Sequence, residues 1–314
     1  VCSDLKTVPL GSAELKGRMR LPGSIVSLSC SVLCTLAVRL MRSAADASRT
    51  GTSKTQNLKR SRPPAVQMMH FEFEGVVSLW VLAWSEMLLS ALPVNIGLVV
   101  WPSCKLLCHY IARSIREDWN VLRPGHRVLE LGGGVGLLGL LIANLGKECE
   151  VFITDSDDVC LNVAYANVAA NSCNLGSSSV GVGKLRFGAD SAKRFSEARG
   201  DDFDLIVAGD VLYSFDAIKL FLETASCLLA PTGVVLLAHP RRSDELHNAL
   251  LSTAEEEHGF QVASVLASED VKMDIGDHEP VTLYRLAKKV HAGRAVDTAS
   301  LSEALPSRTV DTTR

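Results

Sequence analysis

Between about residue 66 and residue 289 short apolar runs alternate with longer amphipathic ones. "RVLEL" (Arg127–Leu131) reads as a buried strand, and Leu137–Leu145 as a helix ending near Gly146. "EVFIT" (Glu150–Thr154) is a second strand, and Asp157–Asn171 a helix whose early acids suit the helix dipole. After a Ser/Gly loop, "KLRF" (Lys184–Phe187) predicts a short third strand and "DLIVA" (Asp204–Ala208) a fourth. Ile218, Phe221, Leu222, Ala225, Leu228 and Leu229 form one helical stripe. "PTG" then turns the chain into "VVLLAH", a fifth strand. A helix follows over about Ser243–Glu257, and "QVASVL" and "VTLYRLA" close the unit as two strands. The alternation predicts an α/β fold: a doubly wound, mostly parallel seven-stranded sheet with helices on both faces. The last two strands, a short loop apart, predict an antiparallel edge hairpin. Upstream, the alternation in "HFEFEG" and the apolar stretch Gly75–Leu92 predict an N-terminal hairpin or helix, and Glu86 argues against a membrane span there.

Charge divides the chain differently. Residues 1–65 carry eleven Lys/Arg against three Asp/Glu, so this Ser/Arg-rich extension is expected to be disordered or to act in targeting. Within it, the apolar Ser24–Met41 leaves a short anchor or signal-like segment open. The polar tail, residues 290–314, is expected to be disordered. Net charge over the whole chain is -3, which gives no reason to expect nucleic acid as a partner. The body without its extension is acidic and suits a basic protein substrate. There are nine Cys and no C-x-x-C, and the pairs Cys104/Cys108 and Cys30/Cys34 lack a nearby His pattern. No metal site is expected. Free thiols fit a reducing compartment, so the expected location is the cytoplasm, with organellar targeting by the extension as the alternative. The domain is expected to be monomeric and free of membrane.

The stretch "VLELGGGVGLLG" (Val128–Gly139) raises the question of a ligand. An apolar run, glycines and a second apolar run read as strand, tight turn and helix start. Gly134, Gly136 and Gly139 fit the dinucleotide fingerprint G-x-G-x-x-G, with Asp155 further on. Glu130 argues the other way. It stands just before Gly132, and a pyrophosphate beside it would set like charges together in a partly dry cleft. S-adenosylmethionine (AdoMet), with an ammonium, a sulfonium and no phosphate, would be favoured there. Asp155 can accept from ribose hydroxyls in either case and does not discriminate.

Over roughly residues 70–290 these motifs resemble class I AdoMet-dependent methyltransferases, and more narrowly the methyltransferase family 16 group of lysine methyltransferases. "GLVVWPSCKLLCHYI" is similar to the family's helix before the core, which implies that Trp101 contacts the cofactor. "VLELGGGVGLLGLLIANLG" resembles its first motif, implying backbone contacts from Gly132, Gly133 and Gly134; Gly136, at the same strand edge where backbone passes close to ligand, is expected to bind cofactor with them. "FITDSDDVCLNVAYANVAAN" implies Asp155 as the ribose ligand. "FDLIVAGDVLY" resembles the D-x-x-Y signature, with Asp210 and Tyr213 as the implied catalytic pair. Two positions depart from the family. Phe187-Gly188 stands where many members have Trp-Gly, which keeps an aromatic face for adenine but loses the indole donor. Gly209 stands where Ala is common.

The activity so implied is AdoMet-dependent methylation of a protein lysine. Other acceptors on the same fold (histidine, arginine, a small molecule) and a non-catalytic cofactor-binding partner remain as alternatives. Asp190 is a candidate acceptor for the adenine amine or a solvated acid. Arg241 and Arg242 read as solvated or structural.

Overall fold

The computed structural model describes residues 67–83, 96–117, 121–199, 202–270 and 278–289, with the backbone of three short strands nearer the N-terminus. Those three are β1 (Lys6–Val8), β2 (Arg18–Leu21) and β3 (Ser24–Ser27). The hairpin of β4 (Gln67–Phe73) and β5 (Val77–Ala83) follows. Then come α1 (Pro102–Arg116), β6 (Arg127–Leu131), α2 (Leu137–Leu145), β7 (Glu150–Asp155), α3 (Asp158–Asn171) and β8 (Ser179–Lys184). The chain continues through α4 (Ala189–Arg199), β9 (Phe203–Gly209), α5 (Phe215–Leu228), β10 (Leu229–Pro240) and α6 (Asp244–Ser252). It closes with β11 (Phe260–Ala267) and β12 (Val281–Lys288).

The main sheet has the order β1-β8-β7-β6-β9-β10-β12-β11. The run from β8 to β10 is parallel, and β12 and β11 close the far edge as the expected antiparallel hairpin. The seven expected strands are present. An eighth, β1, lies within residues 1–65 and pairs antiparallel with β8. The rest of that extension and the tail 290–314 fall outside the described residues, apart from the short pair β2–β3. No helix among the described residues is long and apolar enough to cross a membrane.

Alternation along the strands builds two apolar cores. Val128, Val151, Ile153, Leu205, Val207 and Leu236 face α1, α2 and α3. Leu129, Phe152, Ile206, Ala208, Val235 and Leu237 face α4, α5 and α6. The β4–β5 hairpin closes over the first core, and α3 holds it with side-chain amides. Asn167 donates from Nδ2 to the Leu82 and Val135 carbonyls (3.1 and 2.9 Å), and its Oδ1 accepts from Leu82 N (2.7 Å). Asn171 Nδ2 donates to the Trp80 carbonyl at 2.9 Å. The free edge of β5 is thus satisfied by amides rather than by another strand.

Three boundaries and one helix differ clearly from the sequence reading. The third parallel strand is Ser179–Lys184, not Lys184–Phe187, so part of the expected Ser/Gly loop is strand. Its small residues serve packing: a Cβ on Gly181 would lie 2.8 Å from the Phe152 ring, whose other contacts include the Arg199 guanidinium 4.0 Å from its centroid. Helix α4 was not expected, because only Ala192 and Phe195 of its residues are buried. Leu229 opens β10 rather than ending the helical stripe, and the "PTG" turn is a register break between Leu229 and Val234. The helix expected to run to Glu257 ends at Ser252 and passes into a π-helical turn, Thr253–Glu257.

Asn167→Leu tests the amide clamp. It strands Leu82 N and two carbonyls away from water and should cost about 2–4 kcal/mol in urea unfolding. A loss below about 1 kcal/mol would mean that apolar packing alone seats the hairpin.

Candidate functional site

Strand order reverses between β6 and β9, and a cavity of about 630 Å³ opens there at the carboxyl ends of β6, β7 and β9. This is where open parallel sheets bind ligands. One wall is the turn between β6 and α2. Gly133 N donates to the Thr154 carbonyl and Gly136 N to the Gly133 carbonyl, both at 2.8 Å. Gly134 N donates to Asp155 Oδ2 at 3.0 Å. Gly134 has φ 54, and a side chain there would collide with the Gly97 carbonyl oxygen, so only glycine serves.

Beneath this turn lies Glu130. It alternates with Leu129 and Leu131, which turns it toward α2, and it is 3% exposed. Its Oε2 accepts from Gly139 N at 3.0 Å. Burial pushes its carboxyl up to about 8; the Gly139 N–H works against that rise, and the charge of Asp155 adds to it. The expectation of a plainly charged carboxylate is therefore modified. At that value the acid is largely protonated at neutral pH.

The second wall is α1. Trp101 precedes its first turn, and its Nε1 donates to the Ile96 carbonyl at 3.0 Å while the His278 ring meets it edge-on at 5.7 Å. The third wall follows β8, where Phe187 stands edge-on to Phe221 at 5.7 Å. The fourth follows β9. Gly209 lets strand and helix meet closely, since a Cβ there would lie 3.1 Å from Cys104 N. Asp210 sits in left-handed backbone (φ 61), and its N–H donates to the Ala238 carbonyl at 3.0 Å. Tyr213 is 65% exposed at the mouth.

The sequence-predicted residues Trp101, Glu130, Gly132, Gly133, Gly134, Asp155, Phe187, Gly209, Asp210 and Tyr213 all line this one cavity. Gly136, expected among the cofactor-binding residues, does not: it faces Ile153 and Ala164, away from the lining, and its part is the turn. Asp190 is exposed in the first turn of α4, off the wall. Of the two parts expected for it, Arg242 takes the structural one: its guanidinium bonds the Asp210 carboxylate and the Leu212 carbonyl. Sequence reasoning missed Ile96, Cys104, Cys160, Asp216 and Leu220. The α5 residues had a signal: Asp216, Ala217 and Leu220 fall at helical spacing from Tyr213, beside the core stripe, and line the cavity instead. Among the described residues no cluster of His, Cys, Asp and Glu has the arrangement of a metal site.

A sequence profile described as lysine methyltransferase matches residues 74–257, which includes every residue lining the cavity. The chain is 33% identical over 155 residues to a calmodulin-lysine N-methyltransferase of Arabidopsis thaliana, covering 48% of each. It is 28% identical over 198 residues to EEF1A lysine methyltransferase 3 of Xenopus tropicalis, covering 62% of this chain and 77% of that one. It thus spans about half the length of the plant relative. Among solved structures it is similar to the T. thermophilus 16S rRNA N2 G1207 methyltransferase RsmC, with TM-score 0.48 and 21% identity over 73% of this chain and 52% of that one. With more than half of its length matched by that profile, and with the glycine turn, Asp155, Asp210 and Tyr213 around one cavity, the chain belongs to the methyltransferase family 16 lysine methyltransferases.

Proposed function

We propose that this protein transfers a methyl group from AdoMet to a lysine side chain of a protein substrate. The observation that carries the reading is the shared cavity, with the glycine turn and Asp155 on one side and Asp210 and Tyr213 on the other. Its charge agrees. Asp155, Asp157, Asp210 and Asp216 line it, with Glu130 ready to ionise beside a cation; among the described lining residues Arg186 is the basic one, an unfavourable setting for a pyrophosphate and a favourable one for cations. The relatives named for calmodulin-lysine and EEF1A lysine methylation support a lysine acceptor in a protein. A monomeric enzyme acting in the cytoplasm belongs to the same proposal.

The residues present suit AdoMet. The Asp155 carboxylate, fixed by Gly134 N and by Asp157 N (2.9 Å), would receive ribose hydroxyls. The Phe187 face would meet adenine. Glu130 would meet the positive end of the cofactor, and that encounter would favour its ionised form. AdoMet supplies a methyl on a sulfonium, already activated toward an amine. What remains for the protein is to position and desolvate the acceptor. Asp210 stands at the carboxyl end of β9 to orient the amine, and Tyr213 stands at the mouth to line its approach.

Three outcomes are expected. In calorimetry the protein binds AdoMet or S-adenosylhomocysteine and not NAD, and Asp155→Ala weakens that binding by about 1–3 kcal/mol through lost charge-assisted hydrogen bonds. Unchanged affinity in Asp155→Ala would remove it from the ribose site. With tritiated AdoMet and a heat-treated lysate, a protein band should carry label as methyl-lysine. Methyl-histidine or methyl-arginine would reassign the acceptor, and label confined to small molecules would end the protein reading.

The third outcome concerns Glu130 without cofactor. Its folded value near 8 lies above the ordinary 4.5, so between those limits the folded state holds the extra proton and this group's contribution to stability falls as pH rises. Glu130→Gln carries no such slope. Its melting temperature relative to wild type should therefore climb between about pH 5 and pH 9. Parallel curves across that range would show that the buried acid ionises in the ordinary way.

A further inference from the structure

Asp210 is almost enclosed, with its side chain 7% exposed, and it is not a bare anion. Arg242 Nη2 donates to Asp210 Oδ1, and Nη1 of the same guanidinium donates to the Leu212 carbonyl at 3.3 Å. One planar fork thus spans the first and third residues of Asp210-Val211-Leu212-Tyr213. Arg242 stands in the turn between β10 and α6, and its own N–H donates to the Pro240 carbonyl at 2.9 Å. Two prongs at fixed angles set both the aim of the carboxylate and the path of the loop, which a lysine ammonium would not do.

The pairing has a chemical consequence. A lone carboxylate beside an acceptor amine holds it as the ammonium, whose lone pair is tied up by a proton. The amine must first release that proton to solvent. Its lone pair then forms the N–C bond, and the electron pair of the broken S–C bond stays on sulfur. A guanidinium bound to the carboxylate offsets the pull toward the ammonium form.

We infer that Arg242 is a positioning residue for methyl transfer: it fixes the aim of Asp210 and offsets its charge, so that the acceptor amine docks as the free base. The inference rests on the lysine reading above. Other titrating groups nearby are shared by wild type and variants. His239, buried on β10 with Nδ1 unbonded, is driven down to about 4 by burial and then by the charges of Arg242 and His247, so it stays neutral at working pH. Glu130, pushed up to about 8 by burial in the protein without cofactor, is common to every variant. Asp155, Asp216, Tyr213 and Arg186 also line the cavity. Arg241 pairs with Asp244 on the surface at 2.8 Å and supplies the control.

The test measures initial rates of tritium transfer to the methyl-lysine band of heat-treated lysate, using full-length protein saturated with AdoMet across the neutral to alkaline range. Arg242→Gln should be about tenfold or more slower near pH 7, with the gap closing as pH rises and the acid limb moving up by about one unit. Its acceptor KM at neutral pH should not rise, because the unshielded Asp210 still attracts the ammonium. Its affinity for S-adenosylhomocysteine should stay within about twofold, since the cofactor contacts lie elsewhere. Arg241→Gln should superpose on wild type. Should Arg242→Gln fail to bind S-adenosylhomocysteine, Arg242→Lys decides: charge without the fork should keep the acid limb in place and lower the rate. An Arg242→Gln profile that is uniformly slower but unshifted, or a shift of the limb in Arg242→Lys as large as in the glutamine variant, would overturn the inference while leaving the methyltransferase standing. No labelled protein from wild type would end the lysine reading, and this inference with it.

Discussion

The site depends on two carboxyl groups that hold one backbone turn from opposite sides. Glu130 accepts from Gly139 N beneath the start of α2, and Asp155 accepts from Gly134 N at its outer edge. Between them the Gly133 N–H reaches across to β7 through the Thr154 carbonyl. These bonds turn the chain sharply from β6 into α2 and leave no side chain between backbone and cavity. The rest is arranged around that turn. The Asn167 amide bonds the carbonyl of Val135, between Gly134 and Gly136, so the clamp that seats the β4–β5 hairpin also braces the loop. On the far side, Gly209 lets α1 close against β9, which brings Trp101 and Asp210 to walls of the same cavity.

Strong apolar patterning explains what was legible in the sequence. β6, α2 and β9 are near-continuous apolar runs buried on both sides, and the α5 stripe shows helical spacing directly. The glycine turn, Asp155 and the Asp210-Val211-Leu212-Tyr213 run could be placed because each follows such a strand. β8 escaped because its identity depends on a distant neighbour: Gly181 is small to make room for Phe152 of the adjacent strand, and in one dimension a strand with glycines at alternate positions looks like a loop. α4 escaped because it buries little. Arg242 could not be told apart from Arg241 for a related reason. Nothing in "AHPRRSDEL" distinguishes it from Arg241, yet one guanidinium folds back onto Asp210 and the other pairs with Asp244 at the surface. The turn geometry after β10 makes that choice, and local pattern does not encode it.

An acid-lined, partly dry cavity presents a problem of its own, because like charges gathered away from water oppose folding. The three acids set deepest in this cavity are each answered by different means. Glu130 keeps its proton, Asp155 spends its oxygens on the backbone N–H groups of Gly134 and Asp157, and Asp210 is bound by Arg242. Each answer is local and comes from the chain itself. Each also yields differently when a ligand arrives. A proton on Glu130 is lost readily once a positive charge is near, whereas the Arg242 fork is covalently part of the chain and stays. On the proposed function, the cofactor end of the cavity therefore becomes more negative as a cation enters, and the acceptor end remains balanced. That asymmetry suits a reaction in which one ligand binds as a cation and the other must give up its proton before it can attack.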